Sequence, residues 1–166
     1  MLRSILIILL LLTIAGCVQP EPKITTFILL RHAEKGNDGT EDPDLNPKGL
    51  ERAGHITQLL KETTVDAIYA TNFKRTRNTV APLASAKNLD VELYESYKSD
   101  EIEKMLDKHR GGTVVICGHS DNIPWTANLL LGKEEFKDYE DAAYSIMLIV
   151  SVVEKGKVAK VTRLEY

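Results

Sequence analysis

The stretch Ile24-Thr25-Thr26-Phe27-Ile28-Leu29-Leu30-Arg31-His32-Ala33-Glu34 decides how this chain is read. Its first seven residues are a short, nearly continuous apolar run, the pattern of a strand covered on both faces. Arg31 and His32 follow with no turn residue between, so two polar side chains stand at the strand's carboxyl end. A second run behaves the same way: Thr113-Val114-Val115-Ile116-Cys117 leads directly into Gly118-His119-Ser120-Asp121. Between and beyond these runs the patterns alternate. Leu50, Ala53, Ile56, Leu59 and Leu60 recur at helical spacing after Pro47-Lys48-Gly49, and Val65 to Tyr69 reads as a strand. Phe73 to Ala84 predicts a helix ending near Pro82, Val91 to Tyr94 a short strand, and Ile102, Met105 and Leu106 a helix broken by Gly111-Gly112. Asn122 to Leu131 predicts a helix, and Tyr144–Val153 and Val158–Leu164 a hairpin around Glu154-Lys155-Gly156. Alternation of this kind predicts an α/β three-layer sandwich with a mainly parallel central sheet and an antiparallel edge.

Composition sets the outer bounds. The chain has 166 residues, 27% charged and 43% apolar, with a formal charge of −3. That suits one ordinary domain with a real core, and it excludes a disordered chain, a collagen-like repeat and a disulfide scaffold. The weakly acidic balance argues against a nucleic-acid binder.

Residues 1–16 stand apart. Arg3 is their only charge, Ile5 to Leu12 are all Ile or Leu, and Thr13-Ile14-Ala15-Gly16 is a small-residue exit. This is the layout of an export signal, with an apolar run short of the roughly 20 residues that span a bilayer. Ile14-Ala15-Gly16-Cys17 resembles a bacterial lipobox, which implies lipidation of Cys17 and a membrane-anchored location in the bacterial cell envelope. Residues 17–23, with Pro20 and Pro22, read as a tether, and residues 24–166 as the domain. With Cys17 carrying lipid, Cys117 is left as a free thiol inside an apolar run, where it reads as a small core residue.

Ligands of open α/β sheets bind at the carboxyl ends of the strands, so His32 and His119 are expected to face each other across one crevice. Here four motifs stand in order. Leu30-Arg31-His32-Ala33-Glu34 comes first, then Asp44-Leu45-Asn46-Pro47-Lys48-Gly49-Leu50-Glu51-Arg52-Ala53. Tyr69-Ala70-Thr71-Asn72-Phe73-Lys74-Arg75-Thr76-Arg77-Asn78-Thr79 and Val115-Ile116-Cys117-Gly118-His119-Ser120 complete the set. Together the set resembles the histidine phosphatase superfamily, with its phosphoglycerate-mutase-like fold. The resemblance implies a phosphate pocket of Arg31, His32, Arg75 and His119, with His32 as the nucleophile that becomes phosphohistidine. The chemistry agrees. A neutral imidazole can attack phosphorus and split one hard step into two, while fixed guanidinium groups neutralise the phosphoryl oxygens two at a time. His119, once protonated, adds a further donor at a helix start. No cofactor is implied, and no cluster of His, Cys, Asp and Glu has convincing metal-ligand spacing.

A leaving alkoxide needs a proton. Acid phosphatases of the family's other branch carry Asp directly after the second histidine; here Ser120 intervenes, and Asp121 is either the acid or a helix cap. Glu34 is placed to orient a pocket side chain, and Lys35 to meet a substrate anion. The chain lacks room for the long insertions of mutases. The expectation is therefore a metal-independent hydrolase of a phosphomonoester or phosphoprotein, its partner a phosphorylated small molecule or envelope component. The alternative is a catalytically weak lipoprotein that only binds a phosphorylated ligand.

Overall fold

A computed structural model describes residues 21–166; residues 1–20, and with them the export signal and Cys17, lie outside the described residues. The two apolar runs form the middle of a six-stranded sheet. β1 (Thr25–Arg31) pairs in parallel with β4 (Thr113–Gly118), in a register that sets Arg31 beside Gly118. β2 (Ala67–Ala70) and β3 (Val91–Leu93) continue the parallel side, while β5 (Ile146–Glu154) and β6 (Val158–Glu165) add the antiparallel edge, in the order β3-β2-β4-β1-β5-β6.

Alternate residues of each central strand serve opposite faces. Phe27, Leu29, Val114 and Ile116 pack with α3 (Ser99–Lys108) and α4 (Asn122–Leu131) through Ile102, Met105, Ile123 and Leu130. Ile28, Leu30, Val115 and Cys117 pack with α1 (Pro47–Leu59) and α2 (Lys74–Lys87) through Ile56, Val80 and Leu83. Each such side chain contributes about 1.5–3 kcal/mol when fully buried. The result is the expected three-layer sandwich. The Cys117 thiol is buried in the second of these layers, and burial pushes its pKa up. Among the described residues no helix is long and apolar enough to cross a membrane.

Three boundaries differ from expectation. α2 runs through Pro82 to Lys87, with Pro82 on the helix's exposed side, where its ring meets solvent rather than the core. The helix ends at Asn88, whose left-handed φ of 54° closes the cap. β2 starts at Ala67 because Asp66 is committed to a turn: its carboxylate accepts the Thr113 N–H at 2.7 Å. β5 starts at Ile146, which leaves Tyr144 in the preceding loop.

Candidate active site

The parallel strands deliver their carboxyl ends to one side of the sheet, and the pocket is built there. His32 follows β1 and is 4% exposed. Its Nδ1 lies 2.8 Å from the carbonyl oxygen of Ala33. A carbonyl can only accept, so Nδ1 carries the proton and Nε2 keeps a free lone pair. Burial lowers the His32 pKa to about 4; the Ala33 hydrogen bond opposes this, and the charges of His119, Arg31 and Arg75 add to it. The ring is therefore a neutral base at physiological pH.

His119 follows β4, with its ring centroid 5.3 Å from that of His32. Thr71, at the end of β2, lies 2.9 Å from His119 Nε2 through its hydroxyl oxygen. That hydroxyl donates to Thr76 Oγ1, which in turn donates to the Thr71 carbonyl, so the Thr71 oxygen accepts from His119 Nε2–H. Burial, followed by Arg75, lowers the His119 pKa to about 4 against the pull of Asp121. His119 thus becomes a further cation only when an anion offsets the two arginines, and its new donor is then Nδ1. Asn122, itself buried, accepts the His119 N–H at 2.8 Å. Gly118 makes that contact fit, since a Cβ there would sit 2.2 Å from Asn122 Oδ1.

The two arginines close the pocket. Arg31 is 3% exposed, and one terminal nitrogen donates to the carbonyls of Glu140, Asp141 and Ala143 at 2.9, 3.1 and 3.3 Å. Its guanidinium carbon lies 4.2 Å from the Tyr144 ring centroid. Arg75 lies 4.3 Å from the Phe73 ring centroid and 3.5 Å from the Asp42 carboxylate. Both Nε–H groups are buried and without a protein partner. Buried donors of this kind carry a real penalty unless something accepts from them. Donors of this kind suit an oxyanion, and the charges of Arg31 and Arg75 both act on His32.

The remaining candidates have other surroundings. Asp121 caps α4, accepting the Asn122 N–H at 2.7 Å. Burial pushes its carboxyl up, but the hydrogen bonds from Tyr97 and the backbone prevail and hold it below its usual value. The cap geometry thus gives Asp121 a backbone partner at the start of α4. Glu34 turns away toward α1, where Arg52 grips it with two nitrogens at 2.8 and 2.9 Å and Lys48 stands at 3.3 Å. The Arg52 hydrogen bonds lower its pKa to about 2. α1 itself starts against this loop: Asn46 caps it, and a Cβ on Gly49 would sit 2.2 Å from the Glu34 carbonyl oxygen. Lys35 forms an isolated bridge with Leu45. His109 lies far along the chain beside Tyr69, 3.0 Å from its hydroxyl. Among the described residues there is no group of three or more His, Cys, Asp and Glu side chains able to hold a metal ion.

Sequence reasoning did not single out Thr71, Thr79, Phe73, Asn122 or Tyr144. Thr71 and Thr79 stood inside a quoted motif, so a signal existed. Tyr144 had none, because its contact with Arg31 spans 113 positions of chain.

Residues 27–98 match the model of the histidine phosphatase superfamily (branch 1). Over 71 residues the chain is 40% identical to phosphoserine phosphatase 1 of Hydrogenobacter thermophilus, a match that covers 39% of this chain and 34% of that relative's length. The fold is shared with the protein histidine phosphatase SixA in its tungstate complex (TM-score 0.66, 13% identity, 84% of this chain and 96% of that one). It is also shared with phosphoserine phosphatase of Entamoeba histolytica bound to phosphoserine (TM-score 0.65, 16% identity, 83% and 95%). The match to the histidine phosphatase superfamily thus rests on residues 27–98, while the solved phosphatases share the fold over most of the chain.

Proposed function

We propose that this protein is a phosphatase that hydrolyses a phosphomonoester or phosphoprotein through a phosphohistidine on His32. His32 Nε2 attacks phosphorus as the bond to the leaving oxygen breaks, and that oxygen keeps the electron pair and takes a proton from water. Water then attacks the phosphohistidine, releasing inorganic phosphate and restoring the neutral ring. Arg31 and Arg75 hold the equatorial oxygens throughout, where charge spreads in the transition state. His119, its charged form favoured once the arriving dianion offsets the two arginines, takes a proton from water and adds a donor. The observation that carries this reading is the His32 ring itself: Nδ1–H is fixed on the Ala33 carbonyl and Nε2 is unprotonated, within range of the charges of Arg31 and Arg75, whose Nε–H groups are unpaired. Export and anchoring through Cys17 rest on the sequence of residues 1–17, and they put the substrate in the cell envelope.

The test uses the full chain in detergent with an aryl phosphate, quenched in base. Acid-labile phosphate on His32, absent in His32→Ala, is the expected result; turnover with no phosphate on His32 refutes the covalent route. One observation favours a second reading, in which the pocket only binds a phosphorylated ligand: Glu34 is engaged by Arg52 and Lys48 and Asp121 by the Asn122 N–H, so both candidate carboxyls already have partners. That reading predicts no turnover and no trapped phosphate.

A further inference from the structure

The loops after β2, β3 and β4 emerge side by side, because these strands are parallel neighbours in the sheet. They bring three aromatic residues around the His119–Asp121 corner. From the β2 loop, the Phe73 ring stands edge-on to His119 with centroids 5.0 Å apart, yet Phe73 is 37% exposed. From the β3 loop comes Tyr97, 51% exposed, close enough to Asp121 to help hold its carboxyl below the usual value. Its ring meets Trp125 of α4 at 5.3 Å. The His119-Ser120-Asp121 turn thus lies between Phe73 and Tyr97.

Tyr97 has a φ of 61°. A bulky side chain in the left-handed region is strained, and such strain concentrates at sites where it serves binding or catalysis. The fold accepts that strain and still leaves the ring half in water. An ordinary turn here would take Gly or Asn.

Resting on the phosphatase reading above, we propose that Phe73, Tyr97 and Trp125 form a leaving-group subsite for a planar aromatic ring, so that the substrate class is an aryl phosphate. Two independent features agree with it. Exposed rings bordering a phosphate pocket offer edge and face contacts that an alkyl leaving group cannot return. A phenolate departs without the proton an alkoxide requires, which suits a corner where Asp121 is occupied as a helix cap.

The test measures binding of two inert probes to the full chain in detergent by calorimetry: phenylphosphonate and methylphosphonate. Phenylphosphonate is expected to bind about tenfold tighter, the scale of one good aromatic contact. Tyr97→Asn, which tolerates a positive φ, is expected to abolish that gap while methylphosphonate stays within about twofold. Tyr97→Phe keeps the ring, loses only the hydroxyl and is expected to keep the gap. Equal binding of both probes to the unsubstituted chain overturns the subsite, as does an equal loss for both in Tyr97→Asn. Trapping on His32 is scored separately. Phosphate on His32 without a phenyl preference sinks this inference alone; a phenyl preference with no phosphate on His32 sinks the phosphatase reading and the leaving-group role with it.

Discussion

Replacing Thr79 by valine removes one hydroxyl from the middle of the molecule and leaves the shape almost unchanged. Thr79 is fully buried on α2. Its Oγ1 accepts the Ala33 N–H at 2.8 Å and donates to the Arg75 carbonyl at 2.7 Å. One side chain therefore ties the residue that fixes the His32 tautomer to the helix that carries Arg75. In Thr79→Val the Ala33 N–H, also fully buried, loses its partner. An orphaned buried donor costs about 1–3 kcal/mol. For a chain of this length each kcal/mol lowers Tm by about 2–4 °C, so a drop of about 2–12 °C is expected in a calorimetric scan. The catalytic effect follows from the same bond. Once Ala33 relaxes, its carbonyl no longer holds Nδ1–H in place, and Nε2 leaves the line of attack. Misplacement of about 1 Å costs roughly a hundredfold, so a partial shift should slow phosphorylation of His32 about tenfold in a rapid-quench assay. Thr79→Ser, which keeps the hydroxyl, should recover most of the rate. A Thr79→Val protein that melts within about 1 °C of the parent and phosphorylates at full speed refutes this account of how the nucleophile is held.

Two further predictions concern charge. His32 titrates near 4 in the folded chain against 6.5 when exposed, so between those values the unfolded state binds a proton that the folded state refuses. Stability from this ring is complete above about pH 6.5 and is lost as pH falls toward 4, by at most about 3 kcal/mol; urea titrations at pH 7 and pH 4.5 in the parent and His32→Asn should show the larger loss in the parent, and equal losses refute it. Arg52→Leu removes the two-nitrogen grip on a nearly buried Glu34 and leaves only Lys48 beside it. Stability should fall by about 2 kcal/mol, less than for a fully buried pair because Lys48 remains. Restoration by Arg52→Leu combined with Glu34→Leu would confirm that an unpaired carboxylate is the cause, and an unchanged Arg52→Leu would rule it out.

The sheet was legible because its central strands are covered on both faces and so could not tolerate polar interruptions: β1 and β4 read as unbroken runs. Helical spacing after Pro47-Lys48-Gly49 marked α1, which the structure starts at Pro47 with Asn46 as its cap. The positions of the candidate residues were legible for the same reason as the strands. Arg31, His32 and His119 abut strand ends, where side chains lie at the edge of the core and face the crevice. Asp121 was legible only as a pair of alternatives, since a carboxyl near a histidine and a carboxyl at a helix start look alike in sequence. Its hydrogen bond to the Asn122 N–H gives it the second task.

What the sequence hid is the support behind the arginines. Backbone carbonyls hold Arg31, and any residue carries a carbonyl, so Glu140, Asp141 and Ala143 left no trace in residue type. The rings show the same limit and a regularity beyond it. Tyr144 lies against Arg31 and edge-on to His32 at 5.9 Å, while Phe73 lies against Arg75 and edge-on to His119 at 5.0 Å. Each half of the pocket is thus a histidine and an arginine sharing one ring, although the halves are assembled from different loops. The benefit is physical: a guanidinium on a ring face gains cation–π attraction and loses water from that side. Its charge is therefore less screened where the phosphoryl oxygens arrive. Phe73 lies two residues before Arg75 and was within reach of a local reading; Tyr144 depends on a long loop before β5 returning to the end of β1, which only the folded chain reveals.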